Sequence, residues 1–193
     1  MERLRHVIPD ESYRQQAIDY ILEHRACGSH INGSGGLDRY IDDYSGWLDR
    51  LEESRHRISD GERVPAETYM LVRESDNRLI GMCNIRLELN DRLRRCGGHI
   101  GYGIRPSERG NGYNNINLYL ALLRCHEIGL DVVLLDCDND NIASWRTMEA
   151  LGGIEINRWY SEEENCLCRR YSINVSDAIN NYGDRYEPMI LRR

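Results

Sequence analysis

The feature that most constrains the fold is a glycine-containing turn that joins a strand to a helix near the middle of the chain. Residues 98–105 have the pattern of a strand, Pro106 ends it, and helical spacing follows over 114–128. Residues 132–135 form a short apolar run, which is typical of a strand buried on both faces. A strand–helix–strand unit of this kind predicts a parallel strand pair joined by a right-handed crossover.

The segments on either side of this unit complete an α/β pattern. Apolar residues recur at helical spacing in two earlier segments and one later segment, and two apolar runs on each side predict strands. We therefore expect a mixed central sheet of about six or seven strands with helices on both faces. The predicted helices are 11–25, 37–53 and 141–151, and the predicted strands are 68–72, 79–87, 154–160 and 167–173.

The size and composition fit one globular domain. The chain has 193 residues, of which 40% are hydrophobic and 30% are charged, and these shares are ordinary for a domain with its own core. We expect a single domain over 1–193. Its predicted parts are a helical N-terminal part (1–66), a cofactor-binding core (67–173) and a C-terminal tail (174–193).

Charge and cysteine usage argue against several functional classes. The net charge of -7 disfavours a nucleic-acid partner, because phosphate binding requires a basic face. No apolar stretch reaches the roughly 18 to 20 residues of a membrane helix, and the N-terminus lacks the apolar centre of a signal peptide. The seven cysteines have neither a disulfide-framework pattern nor zinc spacing. We expect a cytoplasmic protein with reduced thiols, no membrane partner and no bound metal.

The turn before the central helix has the composition of an anion-binding site. Gly110 and Gly112 allow the backbone to approach a ligand closely, and the helix start presents unpaired N–H groups and the positive end of the helix dipole. Such a site suits a pyrophosphate. A plain turn is the alternative interpretation. A nucleotide P-loop lacks its Lys-Ser/Thr pair here, since the chain has no lysine, and the glycine pattern of a Rossmann fingerprint is incomplete.

Three segments in order resemble the GNAT superfamily of acetyltransferases. Residues 109–114, Arg-Gly-Asn-Gly-Tyr-Asn, are similar to the Arg/Gln-x-x-Gly-x-Gly/Ala coenzyme A motif of that superfamily. Residues 98–106 resemble the strand before the motif, and 138–144 resemble the later Asn-x-x-Ala/Ser stretch at a helix start. The resemblance covers about 68–172 and implies a GNAT fold with acetyl-coenzyme A as co-substrate.

The resemblance also implies a role for individual residues in the cofactor site. The backbone of Ile104 is expected to bond the pantetheine arm, and Asn141 and Ser144 are expected to lie along it. The chain departs from the family pattern at its last motif position, where Asn114 replaces Gly or Ala and can crowd the phosphate or donate a hydrogen bond. The residues expected to hold the pyrophosphate are Arg109, Gly110, Asn111, Gly112, Tyr113 and Asn114.

The proton chemistry is less defined by the sequence. By the resemblance, many relatives have a Glu that acts as the general base on the strand where His99 stands. An imidazole can also accept a proton near neutral pH, but a structural histidine is the alternative interpretation. Met148 occupies the position where relatives often have a proton-donating Tyr. By the same resemblance, the loop 30–36 and the helix with Tyr44 and Trp47 border the acceptor pocket, whereas helical spacing favours a core role for Trp47.

These observations predict an N-acetyltransferase that moves an acetyl group from acetyl-coenzyme A directly to a primary amine. A small-molecule acceptor is expected, because no basic or extended peptide-binding surface is evident. The alternative is a coenzyme A-binding or regulatory module of the same fold with weakened catalysis. Superfamily members often pair, so a homodimer is also expected.

Overall fold

The computed structural model describes residues 2–162 and 165–191. Within these ranges the chain forms seven strands and six α-helices, with short 3-10 turns between several of them. The strands are β1 (Leu4–Val7), β2 (Ala66–Arg73), β3 (Arg78–Arg86), β4 (Ile100–Ile104), β5 (Val132–Asp138), β6 (Ile154–Ser161) and β7 (Cys166–Asn174). The helices are α1 (Arg14–Ala26), α2 (Tyr44–Arg55), α3 (Asp91–Arg95), α4 (Tyr113–Glu127), α5 (Ile142–Glu149) and α6 (Val175–Tyr186).

The strands form two antiparallel sheets, in the orders β1-β2-β3-β4 and β5-β7-β6. The expected α/β class and number of strands are confirmed. Helices cover both faces of the four-stranded sheet. One apolar core contains buried residues of α1 and α2, and the other lies against α4, α5 and α6.

The predicted parallel pairing of the strands over 98–105 and 132–135 is wrong. Strands β4 and β5 belong to different sheets, and a single isolated bridge of antiparallel type, between Gly98 and Leu135, joins them. Gly98 has a φ of 59°, and a Cβ there would lie 2.2 Å from the carbonyl oxygen of Leu134. The side chain of His99 accepts a hydrogen bond from the Leu134 N–H at 3.0 Å, so it takes a donor that a strand ladder would use. The two strands diverge from this point.

Side-chain caps explain where several helices begin. The predicted helix 37–53 is a 3-10 turn at Leu37–Arg39 followed by α2, because the Asp43 side chain accepts from the Gly46 N–H and sets a new helix start. Asn174 caps α6 in the same way, within the predicted tail. The strand β1 and the helices α3 and α6 were not predicted, since they are short or follow directly on a strand.

Candidate active site

A cavity of about 800 Å³ opens where β4 and β5 diverge. Its walls are β4, the second half of β5, the first turns of α4 and α5, and part of the loop after α1. On one side β4 pairs with β3, and the other side of its residues 100–104 faces the cavity. The sequence-predicted residues that line it are Ile104, Arg109, Gly110, Gly112, Tyr113, Asn114, Asn141 and Ser144.

The start of α4 forms one end of the cavity and can hold an anion. Gly112 precedes the helix with a φ of 75° and has no side chain to cap it, and within 2–162 and 165–191 no side-chain hydrogen bond to the N–H groups of the first turn is present. A Cβ at Gly112 would meet nothing within 4 Å, so the backbone is open on the cavity side. Open N–H groups and the positive end of the helix dipole favour a phosphate there.

Arg109 adds a fixed positive charge to this end. Its Nε donates to the carbonyl oxygen of Ile104 at 3.2 Å, and its Nη2 donates to Ser29 Oγ at 2.6 Å. Ser29 lies in the loop after α1 and also lines the cavity. The guanidinium therefore joins β4 to that loop beside the open helix start.

The side chain of Asn114 is directed towards α5. Its Nδ2 donates to Thr147 Oγ1 at 3.2 Å, and its Oδ1 is buried with no hydrogen-bond partner among the described residues. Thr147 Oγ1 in turn donates to the carbonyl oxygen of Ala143 at 2.8 Å. Asn114 thus connects the start of α4 to the second turn of α5.

A pair of hydroxyl groups lies deeper in the cavity, between β4 and α5. The hydroxyl of Tyr102 is 3.1 Å from Ser144 Oγ and 3.2 Å from the Ser144 carbonyl oxygen. Burial raises the pKa of Tyr102 above its ordinary value, so this hydroxyl stays protonated at neutral pH. The Asn141 side chain accepts from the Ser144 N–H at 3.2 Å and caps α5. Sequence reasoning missed Tyr102, although its place between Gly101 and Gly103 was a signal.

The far end of the cavity contains acidic and thiol groups of β5 and β7. Asp136 is engaged there, because it accepts from Arg170 Nε and Nη2 at 2.7 and 2.6 Å and from the Gly97 N–H at 2.6 Å. Burial raises the pKa of the Cys137 thiol to about 11, so it remains protonated at neutral pH. Asp138 and Cys168 line the same end.

His24 is a second residue that sequence reasoning missed. It is fully buried on α1, its Nδ1 lies 2.9 Å from the Tyr20 carbonyl oxygen, and its Nε2 has no partner among the described residues. It lines the cavity together with His30 and Asn32 of the following loop. No pattern in the sequence distinguishes His24 from a core histidine.

Several predicted residues lie outside the cavity wall. Asn111 is exposed, and its side chain donates to the Glu108 carbonyl oxygen at 3.1 Å. Met148 is 1% exposed and packs in the core against α4. Tyr44 and Trp47 are fully buried in the core under the four-stranded sheet and do not line the cavity, and the role of their helix at the acceptor pocket stays a prediction. The loop 30–36 does reach the cavity, as expected.

His99 is also set back from the cavity wall. It is 9% exposed, and its Nδ1 accepts the Leu134 N–H described above. Burial, and then the positive charge of Arg86, lower the pKa of His99 to about 4. The imidazole is therefore neutral at physiological pH, and its predicted role as a base stays a prediction.

The arrangement defines a class of protein. A cleft between diverging strands offers an open strand edge along its length, phosphate-binding groups at one end and hydroxyl groups further in. Such a cleft suits an enzyme that binds an extended, phosphorylated carrier and reacts at the carrier's far end. No helix in the described ranges combines the length and the apolar character that crossing a bilayer requires.

Comparisons with known proteins agree with this class. The family described as "Acetyltransferase (GNAT) domain" matches residues 16–154, which is more than half of the chain. The chain therefore belongs to the GNAT acetyltransferase family, and it is an acyltransferase of the acetyl-coenzyme A-dependent N-acetyltransferase class. A comparison with curated protein sequences finds no significant match.

Solved structures show the same fold at low sequence identity. RimL, a ribosomal L7/L12 alpha-N-protein acetyltransferase in complex with coenzyme A, is 16% identical with a TM-score of 0.67, over 91% of this chain and 96% of that one. RimJ from Mycobacterium smegmatis in complex with CoA-disulfide is 14% identical with a TM-score of 0.69, over 94% and 92%. A chimera of the spermidine N-acetyltransferase SpeG from Vibrio cholerae and hSSAT is 15% identical with a TM-score of 0.64, over 92% and 99%.

Proposed function

We propose that the protein transfers the acetyl group of acetyl-coenzyme A directly to the primary amine of a small molecule. One observation carries the proposal. The open start of α4, the open edge of β4 and the hydroxyl pair of Tyr102 and Ser144 line the same cavity. Along the coenzyme A molecule, the diphosphate, the extended pantetheine arm and the reactive sulfur follow in the same order as these three features of the cavity.

The cofactor-binding roles follow from this order. We propose that the backbone of residues 109–114 holds the diphosphate, with Arg109 supplying charge. The pantetheine arm then runs along β4, with Ile104 near its start and the α5 residues Asn141 and Ser144 beside it. The thioester would lie near the hydroxyl of Tyr102, on the way to the far end of the cavity. The open β4 edge supports this path, because the arm's amides can bond it as an added strand would.

The reaction requires a neutral amine and a leaving thiolate. The amine nitrogen attacks the carbonyl carbon of the thioester, the C–S bond breaks, and the amine proton passes through water while the coenzyme A thiolate takes a proton from solvent. We propose that the hydroxyl groups of Tyr102 and Ser144 bond the sulfur as negative charge develops on it. Positioning of amine and thioester supplies much of the remaining rate. His99 remains the candidate base.

The acceptor, assembly and location are also proposals. Asp138 and Asp140 line the cavity, and the net charge of the chain is -7, so a cationic small-molecule amine is favoured over nucleic acid or a membrane surface. We further propose that residues 1–193 act as one domain, that the protein forms a homodimer and that it works in the cytoplasm. No metal is required for this transfer chemistry.

A binding module with weakened catalysis is the second candidate function. The burial of Met148 in the core supports it, because the position where relatives often have a proton-donating Tyr has no hydroxyl here. In that case the cavity would bind acetyl-coenzyme A and release no thiol.

Binding and turnover separate the two candidates. Titration with acetyl-coenzyme A measures affinity, and release of free thiol measures transfer to polyamines, aminoglycosides, amino acids and peptides. We expect Tyr102→Phe to lower kcat about tenfold, which corresponds to about 1.4 kcal/mol, with the KM for acetyl-coenzyme A nearly unchanged. Tyr160→Phe is the matched control, because the hydroxyl of Tyr160 is exposed and bonds Asn165 away from the cavity. A kcat that is the same in both variants would exclude the proposed role of Tyr102.

A further inference from the structure

Strand pairing brings three metal-ligating side chains together at the far end of the cavity. Asp138 on β5 lies directly opposite Cys168 on β7 in the antiparallel ladder. Directly opposed residues project from the same face of a sheet, with Cβ atoms about 4.5–5.5 Å apart. Cys166 lies two residues before Cys168 on the same strand, so it projects from that face as well.

Two of the distances among the three side chains match those between ligand atoms of a tetrahedral metal site. The sulfur atoms of Cys166 and Cys168 are 3.7 Å apart, and Cys166 Sγ lies 3.4 Å from Asp138 Oδ1. All three ligand atoms lie within 4.8 Å of one another. Zinc bonds of about 2.3 Å to sulfur and about 2.1 Å to oxygen place tetrahedral ligands about 3.8 Å (sulfur–sulfur) and about 3.6 Å (sulfur–oxygen) apart.

We propose that Asp138, Cys166 and Cys168 form a binding site for a borderline or soft metal ion such as Zn²⁺. Thiolates select such ions over Mg²⁺ or Ca²⁺, which prefer oxygen ligands throughout. The site lies on β7, the middle strand of its sheet, and on β5, so both elements that carry it are held by a strand ladder.

Asp138 and Cys168 both line the cavity, so a fourth ligand would reach the metal ion from there. Three protein ligands with one open position allow a water molecule or a ligand in the cavity to complete the tetrahedron. A metal ion would therefore lie at the far end of the cavity. The Cys-x-Cys pair alone has no zinc spacing, and the third ligand comes from 28 residues earlier in the chain.

Cobalt substitution tests the site directly. Full-length, reduced and metal-free protein is titrated with Co²⁺ without oxygen and without acetyl-coenzyme A. We expect thiolate-to-cobalt charge-transfer absorption that saturates at one ion per chain and disappears when Zn²⁺ displaces Co²⁺. Cys166→Ser and Cys168→Ser should lose the absorption. Cys27→Ser should keep it, because Cys27 is exposed and lies outside the cavity wall.

Further measurements separate loss of the site from loss of the fold. Asp138→Asn keeps both thiols and should weaken binding by at least the roughly 10- to 100-fold that loss of a supporting ligand contact costs. Zn²⁺ should raise the thermal midpoint of the wild type and leave that of the folded serine variants unchanged. Absence of the charge-transfer band in the wild type, or its persistence in both serine variants, would overturn the proposal. Neither result tests the proposed acetyl transfer, because the titrations contain no acetyl-coenzyme A.

Discussion

The backbone N–H groups at the start of α4 differ from those of α5 and β5 in whether a side chain accepts their hydrogen bonds. At the start of α4 the capping residue Gly112 has no side chain, and no side chain in the part of the chain that the structure describes accepts from the N–H groups of the first turn. At the start of α5 the Asn141 side chain accepts from Ser144, and on β5 the His99 ring accepts from Leu134. A helix start becomes an anion site only where the chain leaves its donors open. This difference supports the proposal that the phosphates bind at α4 and that the arm and the thioester lie beside α5.

A negative charge at the open start of α4 should have the largest of the expected effects, a loss of affinity for acetyl-coenzyme A. Gly112→Asp places a carboxylate beside the proposed diphosphate, and we expect the Kd for acetyl-coenzyme A to rise at least thirtyfold, or about 2 kcal/mol. Calorimetric titration measures the Kd. Gly129→Asp is the matched control, because Gly129 has a similar φ of 79°, equally open surroundings and a place at the other end of α4. Equal Kd values for the two variants would remove α4 as the phosphate site.

Acid should lower the stability of the protein, because it protonates the His99 ring that accepts from the Leu134 N–H on β5. The native pKa of His99 is about 4, below its ordinary 6.5, so this group contributes full stability above pH 6.5 and loses it as the pH falls towards 4. Between pH 6.5 and about pH 4.5 we expect the free energy of unfolding to fall by up to about 2 kcal/mol more in the wild type than in His99→Asn.

Denaturant unfolding at several pH values measures this difference. The asparagine oxygen in His99→Asn can still accept the Leu134 N–H, so the hydrogen bond is retained and only the titration is removed. Parallel pH profiles for the two proteins would contradict the assignment. If His99 is also the base, kcat/KM should lose its dependence on a group near pH 4 in the variant.

Removal of the side-chain cap of α5 should lower the free energy of unfolding, and this is the smallest of the expected effects. Asn141→Ala removes the side-chain oxygen that accepts from the Ser144 N–H and leaves that N–H only the Asn141 backbone carbonyl oxygen at 3.0 Å. We expect a loss of about 1 kcal/mol in the free energy of unfolding. Asn141→Ser, which retains a capping oxygen, should recover most of it. The Kd for acetyl-coenzyme A should change less than in Gly112→Asp. A Kd effect as large as that of Gly112→Asp would mean that α5, too, binds the cofactor through its first turn.

The strand–turn–helix unit could be predicted from the sequence because its signals are local. Pro106, the glycines of the turn and the apolar spacing of the following helix lie within one short stretch, and α4 begins within one residue of its prediction. The GNAT family and most of the predicted residues at the cavity wall followed from the same stretch. Asn111 and Met148 lie in their predicted turn and helix, and neither side chain lines the cavity.

The pairing of the strands was decided only by the tertiary structure. Nothing local in 98–105 or 132–135 shows that Gly98 approaches the Leu134 carbonyl, or that the His99 ring takes the donor a parallel ladder needs. The same holds for Asp138 beside Cys168, which depends on the register of two strands far apart in the chain. Amino-acid order fixed the local units here, because glycine, proline and apolar spacing act on their neighbours. The cleft itself depends on long-range contacts, whose geometry no single segment contains.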